Sequence, residues 1–558
     1  MQNINNGSDL QEGNDDAPPI QDTAARDAMI SSISNPHQAL WEEIASIGAS
    51  HDAEQHSERG GCIEGTCEPV LKVVNDWTVG EGENAPICWL YGVVGTGKSA
   101  IAMTVAKRCE AEGRLVSSFF FSRHDLKRNN PSPLVLTIAS GLASTISSLR
   151  GPIERRISND PTILADSFDN QFRELILKPV RALTWTSQFP NIVVIDELDA
   201  CGNEETQLRI LSTIRLAYHE TPSFPLRFLI CSRNESWIHE AFNAHPLRQL
   251  SKVVSAHSSG LEKDILRYYR HHFREIVESP RYAHIQFPSP WPSEHDIEQL
   301  ALRACAQFAH ASSIVSFIKL ANCDPQDQLR IAQGHAFDRR LSPYIELDAQ
   351  YADILSRLPD LDEGRQILAA IVILPSPSPA CIELVLGLPP GRVDLALRGL
   401  HSVLCVRGRD NEIRLYHTSF MDYLVDSMRS GLGRFHIDFA AQIYEIARAW
   451  LRNLSSHKMG SHSSDQIDKT NGFFTGWVGF CSASLPRPTQ EILDELRDVD
   501  LAAVFFCKYR YRAQEASAPE RETVDRDWRE LFGDLVSWVA EADNADDLVH
   551  KFSNPPQV

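Results

Sequence analysis

The sequence predicts an α/β chain: a parallel sheet covered by helices on both faces, followed by helical units and a short hairpin. Three observations carry that reading. Apolar strand-like runs alternate with helical patterns from Pro86 to about residue 255. A glycine-rich stretch, Gly92-Val-Val-Gly-Thr-Gly-Lys-Ser99, follows the first apolar run and opens the first helix. Downstream, NIVVIDELDAC (191–201) drives four apolar residues straight into Asp196, Glu197 and Asp199. Carboxylates are costly to bury unless a cation lies between them, so this strand end calls for a metal and the glycine loop for its anion.

In chain order, residues 1–36 are polar and acidic and are expected to form a disordered tail. A helix is expected over ALWEEIASI (39–47), then a turn-rich stretch and an amphipathic helix near VLKVVNDWTV. ICWLY, LVSSFFFS (115–122), IVVID and LRFLICS (226–232) are the four expected strands. SAIAMTVAKRCEAEG, closed by Gly113, and TQLRILSTIRLAYHE are helices between them. Past about 255, GLEKDILRYYRHHFREI and the long stretch HDIEQLALRACAQFAHASSIVSFIKLA read as a helical domain. EGRQILAAIVIL, PACIELVLGL and GRVDLALRGLHS are further helices. The hairpin VLCVRG–RDNE–IRLYH then completes a winged-helix pattern. The expected divisions are a tail at 1–36, a helical linker at 37–84, the sheet domain at 85–250, a helical domain at 251–340, a winged-helix-like domain at 341–430 and a helical region at 431–558. No repeat of fixed period marks a solenoid or propeller.

Bulk properties narrow the function. The chain has 558 residues, enough for several domains, with 54 Lys plus Arg against 74 Asp plus Glu and a net charge of −20. That balance argues against nucleic acid or an anionic membrane as partner, since phosphate binding needs clustered cations. ILAAIVIL (367–374) is too short to span a bilayer, and no secretory signal is visible. Twelve cysteines in contexts such as PICWLY and FLICSR read as reduced, buried thiols. The expected location is cytoplasmic.

The glycine loop matches the eight-residue phosphate-binding pattern, in the strand–loop–helix context that pattern requires. Gly92, Gly95 and Gly97 let the backbone wrap a phosphate, and Thr96 through Ala100 present N–H groups to it. Lys98 neutralises the β- and γ-phosphates and the Ser99 hydroxyl ligates Mg²⁺. Asp196, first after IVVI, is the metal-side acid, and Glu197 or Asp199 orients water as general base. Arg233, ending the fourth strand, can reach a γ-phosphate; the alternative is a surface pair with Glu235. Arg123, at the end of the second strand, is a weaker candidate. The fold class is thus a P-loop NTPase sheet followed by helical and winged-helix domains, with Mg²⁺ and ATP or ADP as cofactors and GTP left open.

The stretches WLYGVVGTGKSAIA, SSFFFSR, IVVIDELDAC, LRFLICSR, LRGLHSVL and YHTSFMDYL resemble the NACHT-type NTPases of the STAND class. The likeness is to the fungal NOD-like receptor homologues in particular, whose core is also described as nephrocystin-3-like. It covers about residues 39 to 455 and implies a nucleotide switch, closed with ADP and open with ATP, in non-self recognition or cell death. It also implies protein partners and oligomerisation on activation. His417, in LYHTSF, matches by position a winged-helix histidine that contacts the phosphates of ADP; a hydrogen-bonded core histidine is the alternative.

Three departures stand out. Glu197 occupies a place where the family carries a small residue, and Ala200 replaces the last Glu of the acidic segment, so hydrolysis is less secure than binding. Ala306, in AQFAHAS, stands where the family usually carries glycine. The first 36 residues are too short for an effector and no sensor repeat follows residue 455, so a truncated form, a regulator or an adaptor is expected.

Four other readings follow from the residues. A non-hydrolysing interaction scaffold would use nucleotide as a structural ligand, and a kinase would need an arginine-rich lid that the sequence does not show. His51, His56, Cys62 and Cys67 have no zinc-finger spacing. Asp348, Tyr351 and Ile354 form one helix face and are expected to pack.

Overall fold

The computed structural model describes residues 49–51, 60–80, 85–456, 487–498 and 533–553, except 124, 187, 258–259, 322, 336–341, 375–376 and 534. The expected tail, the helix expected over 39–47, and most of the chain after 456 lie outside the described residues.

Five parallel strands form one sheet: β1 (Ile87–Tyr91), β2 (Leu115–Phe120), β3 (Ile192–Asp196), β4 (Arg227–Ser232) and β5 (Ser251–Ser255). Their order is β2-β3-β4-β1-β5. β1 is therefore flanked by β4 and β5, and the loop that follows it opens at the carboxyl edge of the sheet, where ligands of open α/β sheets bind. The sequence reading found four of these strands. β5 escaped because SKVVS is an edge strand with one buried side chain, Val254, and Val253 exposed. Its pairing of Ile87 with Ser251 through Tyr91 with Ser255 carries the sheet past residue 250.

Side chains alternate across the sheet as the pleat requires. Ile87 and Trp89 of β1 enter a core shared with α3 (Ser132–Thr145) and α4 (Glu204–Glu220). Cys88 and Leu90 enter the opposite core with α1 (Glu68–Thr78) and α2 (Lys98–Ala111). Helix α3 crosses β2 at Gly141, where a Cβ would stand 2.2 Å from the Val116 carbonyl oxygen. Only glycine permits that approach.

A helical unit follows, with α5 (Leu261–Glu278), α6 (Glu294–Ala304) and α7 (Phe308–Ile318) around Tyr269, Phe273, Leu300 and Ile314. A further core gathers α8 (Ile345–Leu355), α9 (Leu361–Ile373), α10 (Pro379–Leu386), the β6 (Leu404–Cys405) and β7 (Arg414–Leu415) hairpin, α11 (Thr418–Val425) and α12 (Phe439–Ser456).

The stretch 295–321, which read as helical, is broken between α6 and α7. Cys305 (φ 41°) and Ala306 (φ 64°) both lie in the left-handed region. The break lets Phe308 N–H donate to the Gly95 carbonyl at 2.7 Å. No glycine or proline marks it, so the sequence carried no breaker to read. Among the described residues no helix is long and apolar enough to cross a membrane.

Candidate functional site

The glycine loop leaves β1 and enters α2 as the sequence required. Gly95 and Gly97 take φ of 77° and 84°, conformations that glycine adopts without strain. The N–H groups that open α2 have no partner within the helix, which makes this end an anion cradle. Lys98 is half-buried, and its ammonium donates to the Gly92 and Val93 carbonyls at 2.9 and 2.8 Å. Burial pulls its pKa down, while Asp199 and Asp196 oppose that shift.

Asp196 ends β3 at 1% exposure. Neither carboxylate oxygen has a hydrogen bond of regular geometry, although the Ser99 hydroxyl and the Glu197 N–H lie near enough to favour its charge. Burial, then the Glu197 charge, pushes its pKa up to about 7. A buried, under-satisfied carboxylate beside a serine hydroxyl is a donor set that fits Mg²⁺. Ser99 and Asp196, both expected to bind metal, are thus brought together.

The two candidate bases differ. Glu197 follows Asp196 with φ 54°, and the left-handed turn explains why a small residue suits this place. Asp199 is 3% exposed and already engaged. It accepts the Arg233 backbone N–H at 2.8 Å and lies 3.4 Å from the Arg233 Nε. These partners hold its carboxyl below the usual range against the opposing effect of burial.

Arg233 does not pair with Glu235, the alternative drawn from sequence. Its second partner is Asp353 of α8 at 3.6 Å. Arg123 Nε also meets Asp353 at 3.2 Å, and its terminal nitrogen donates to the Asp199 carbonyl at 2.5 Å. Glu235, fully buried, binds Arg357 at 2.6 Å, and Arg357 reaches Asp353 at 3.3 Å. Burial nonetheless raises Glu235 to about 7. Three arginines and three acids thus link the carboxyl edge of the sheet to one helix of the C-terminal unit. Asp353 and Arg357 were invisible to sequence reading, since an acid near a helix end and an arginine in the turn after it are ordinary. Only the fold brings them to β4.

His417 caps α11 by accepting the Ser419 N–H on Nδ1 at 3.0 Å. Its Nε2 donates to the Ala304 carbonyl at 2.8 Å, so the ring is neutral, and burial lowers its pKa. The Ser419 hydroxyl lies 2.8 Å from the Tyr351 hydroxyl. Gln307 reaches Tyr351 at 3.3 Å and the Val94 carbonyl of the glycine loop at 3.4 Å. Tyr351 is therefore more than the packing residue expected. Its neighbour Asp348 pairs with Arg429 at 2.7 Å, while Ile354 packs as expected. A cleft lined by Val93, Thr96, Ala306, Gln307, Tyr351 and His417 joins these parts. Val94 itself is buried in the C-terminal core, its N–H donating to the Ser402 carbonyl.

The zinc reading has no support among the described residues. The His51 ring nitrogens are taken by Ser118 and Glu110, and no metal-holding cluster includes Cys62 or Cys67. His56 lies outside the described residues. A cluster of His271, His272 and Glu275 on α5 is present instead. The Lys319 ammonium sits 2.9 Å from Glu275, where a cation would go.

Residues 65–233 match the family model described as Nephrocystin 3, N-terminal. The matched stretch contains the glycine loop, Asp196, Glu197, Asp199 and Arg233, and covers less than half of the chain. No curated protein matches the chain. Among solved structures, Drosophila ORC bound to AT-rich DNA and Cdc6 aligns at 11% identity with a TM-score of 0.23. That alignment covers 99% of this chain and 77% of the other. Drosophila ORC bound to DNA aligns at 12% identity and a TM-score of 0.24, over 98% and 79%. Overlaps this low carry neither arrangement nor activity from those proteins to this one. The five-stranded parallel sheet, the glycine loop on β1 and the family match over 65–233 give this chain a nucleotide-binding, P-loop ATPase-like fold similar to the N-terminal region of nephrocystin 3.

Proposed function

We propose that the chain is a nucleotide-dependent signalling switch of the NACHT-type STAND class, binding Mg-ATP and ADP with slow hydrolysis. Its setting, by resemblance, is fungal-type non-self recognition or cell-death signalling in the cytoplasm, with protein partners engaged on activation. The observation that carries this reading is Asp353. A carboxylate from the C-terminal unit lies against Arg123 and Arg233, which stand at the strand ends that flank the glycine loop and Asp196. A γ-phosphate would compete with Asp353 for the same guanidiniums, so the position of that unit would depend on which nucleotide is bound. His417, Gln307 and Val94 give a second link between the same parts.

The test is small-angle scattering of the full chain with Mg-ADP and with a non-hydrolysable Mg-ATP analogue. A larger radius of gyration with the triphosphate is expected; identical profiles at saturating ligand overturn the switch.

The second reading, a scaffold that holds nucleotide without hydrolysing it, draws support from Asp199. Both Arg233 contacts occupy that carboxylate, which draws it away from orienting water. Nucleotide released from freshly purified protein separates the two: ADP fits the slow hydrolase, intact ATP the scaffold.

A further inference from the structure

The geometry points to an oxidisable dithiol at Cys62 and Cys67, a modification site that a two-electron oxidant of the peroxide class closes into a disulfide. The two residues flank a tight turn. Thr66 N–H donates to the Ile63 carbonyl at 2.9 Å, and the Thr66 hydroxyl donates to the same oxygen at 2.7 Å. Gly65, with φ 79°, supplies the left-handed step of the turn. Cys62 precedes the turn, and Cys67, at φ 56°, follows it as the residue that opens α1. The Cys62 and Cys67 side chains meet at the same core and lie close enough to interact. Both are free thiols packed against the α1–α2 core.

The turn is anchored on both sides. Cys62 N–H donates to Thr104 Oγ1 of α2 at 2.8 Å, and Cys67 N–H to Asp264 Oδ2 of α5 at 2.9 Å. Arg267 donates to the Gly65 carbonyl at 2.7 Å. These bonds fix the backbone on both sides of the turn. Cys67 also touches the back of the glycine loop: a Cβ at Gly97 would stand 4.0 Å from its sulfur.

The two thiols are not equivalent. Cys62 is half-exposed and Cys67 buried. Hydrogen bonds from the Cys67 thiol and from Thr104, with the Arg108 charge, favour the Cys62 thiolate and outweigh its burial. Cys67 is held protonated, chiefly as the donor in that bond. The accessible sulfur is thus the nucleophile and the buried one resolves it. The Cys62 thiolate attacks one peroxide oxygen, breaking the O–O bond. It becomes a sulfenic acid, and hydroxide leaves, taking up the proton that Cys62 released to form water. Cys67 sulfur then attacks the sulfenic sulfur, forming S–S as the Cys67 proton and the sulfenic hydroxyl leave as a second water. Two thiols are oxidised and one hydrogen peroxide is reduced to two waters. No other pair of described cysteines flanks a turn in this way; Cys88, Cys109, Cys201, Cys231 and Cys381 are buried and their thiols pushed up by burial.

The test uses the full chain, hydrogen peroxide, alkylation of remaining thiols and tryptic digestion. Cleavage after Arg59 and Lys72 isolates residues 60–72, which hold Cys62 and Cys67 and no other cysteine. The expected product is this peptide two hydrogens lighter and unalkylated, restored by dithiothreitol, at peroxide doses that leave exposed Cys305 alkylatable. In Cys67→Ser, a sulfenic acid on Cys62 should persist and be trapped by dimedone, several-fold above the wild-type level. Full alkylation of both thiols at doses that already oxidise Cys305 overturns the proposal. So does a wild-type Cys62 that proceeds to sulfinic acid without closing.

Discussion

The Arg233 guanidinium stands between Asp199, 3.4 Å away at the end of its own sheet, and Asp353, 3.6 Å away on α8. Asp353 also meets Arg123 and Arg357. A carboxylate shared by three guanidiniums is an electrostatic path between the nucleotide edge and the C-terminal unit. Replacing Asp353 with Asn leaves those partly buried guanidiniums one negative charge short, a situation that typically costs about 3–5 kcal/mol when the remaining charge cannot reach water. Part of that cost is relieved if the unit swings away. Asp353→Asn is therefore expected to speed release of a fluorescent ADP analogue roughly tenfold, the equivalent of about 1.4 kcal/mol. Unchanged release in stopped-flow measurements would remove Asp353 from any latch.

Lys98 makes a contrasting prediction. Its ammonium is held by two loop carbonyls and held against the pull of burial. Lys98→Ala removes that partly desolvated charge, so thermal stability of the chain without added nucleotide should not fall. Nucleotide binding should weaken about 100-fold, since charge-assisted hydrogen bonds to phosphate contribute roughly 1.5–3 kcal/mol each. Titration calorimetry beside a melting curve reads both. A variant that melts early and binds normally would reverse the assignment.

How much of this was legible beforehand depends on distance along the chain. The glycine loop and IVVID are local patterns, and both landed where strand–loop–helix logic put them, with Ser99 against Asp196. β5 was missed because an edge strand with one buried side chain lacks an apolar run. The break at Cys305 and Ala306 was missed because tertiary contact with Gly95, not local propensity, imposes it. Asp353, Glu235 and Arg357 belong to a third kind: each is unremarkable in its own stretch and meaningful only once β4 and α8 meet.

Asp196 carries a pH prediction. Its folded pKa of about 7 lies above the roughly 3.9 of an unfolded aspartate. The folded chain therefore holds this proton more tightly. The stability it contributes is full below about pH 4 and is lost as pH rises through about 7. Asp196→Asn mimics the protonated form, so it should raise the melting temperature at pH 8 and change little at pH 5. Mg²⁺ needs the ionised carboxylate, so binding of Mg-nucleotide between pH 6 and 7 should release a proton. Calorimetry in two buffers of different ionisation enthalpy measures it. Proton uptake instead, or a lower melting temperature for Asp196→Asn at pH 8, would mean that another group dominates the site.

Ala306, at φ 64°, pays a steric penalty that glycine would avoid. A left-handed L-residue costs roughly 1–2 kcal/mol, offset in part by the extra unfolded-state freedom of glycine. Ala306→Gly should therefore stabilise the chain by about 0.5–1 kcal/mol in urea titration, with nucleotide affinity unchanged.

Glu197 shares the conformation, φ 54°, but not the expected outcome. Glu197→Gly should give a similar stability gain, and Glu197→Gln none, because glutamine keeps the strained turn. Turnover orders the variants differently. Asp199 is engaged twice by Arg233, so Glu197 is taken as the acid that orients water, and general-base loss typically costs about 10²–10⁴ in rate. Both variants should then lose phosphate release while retaining Mg-ATP. If Glu197→Gln hydrolyses at the wild-type rate, the role passes to Asp199, and that in turn requires Arg233 to let go of Asp199 when the triphosphate binds. Arg233→Gln, which removes the guanidinium from Asp199 and keeps the backbone N–H bond, would then raise turnover instead of lowering it.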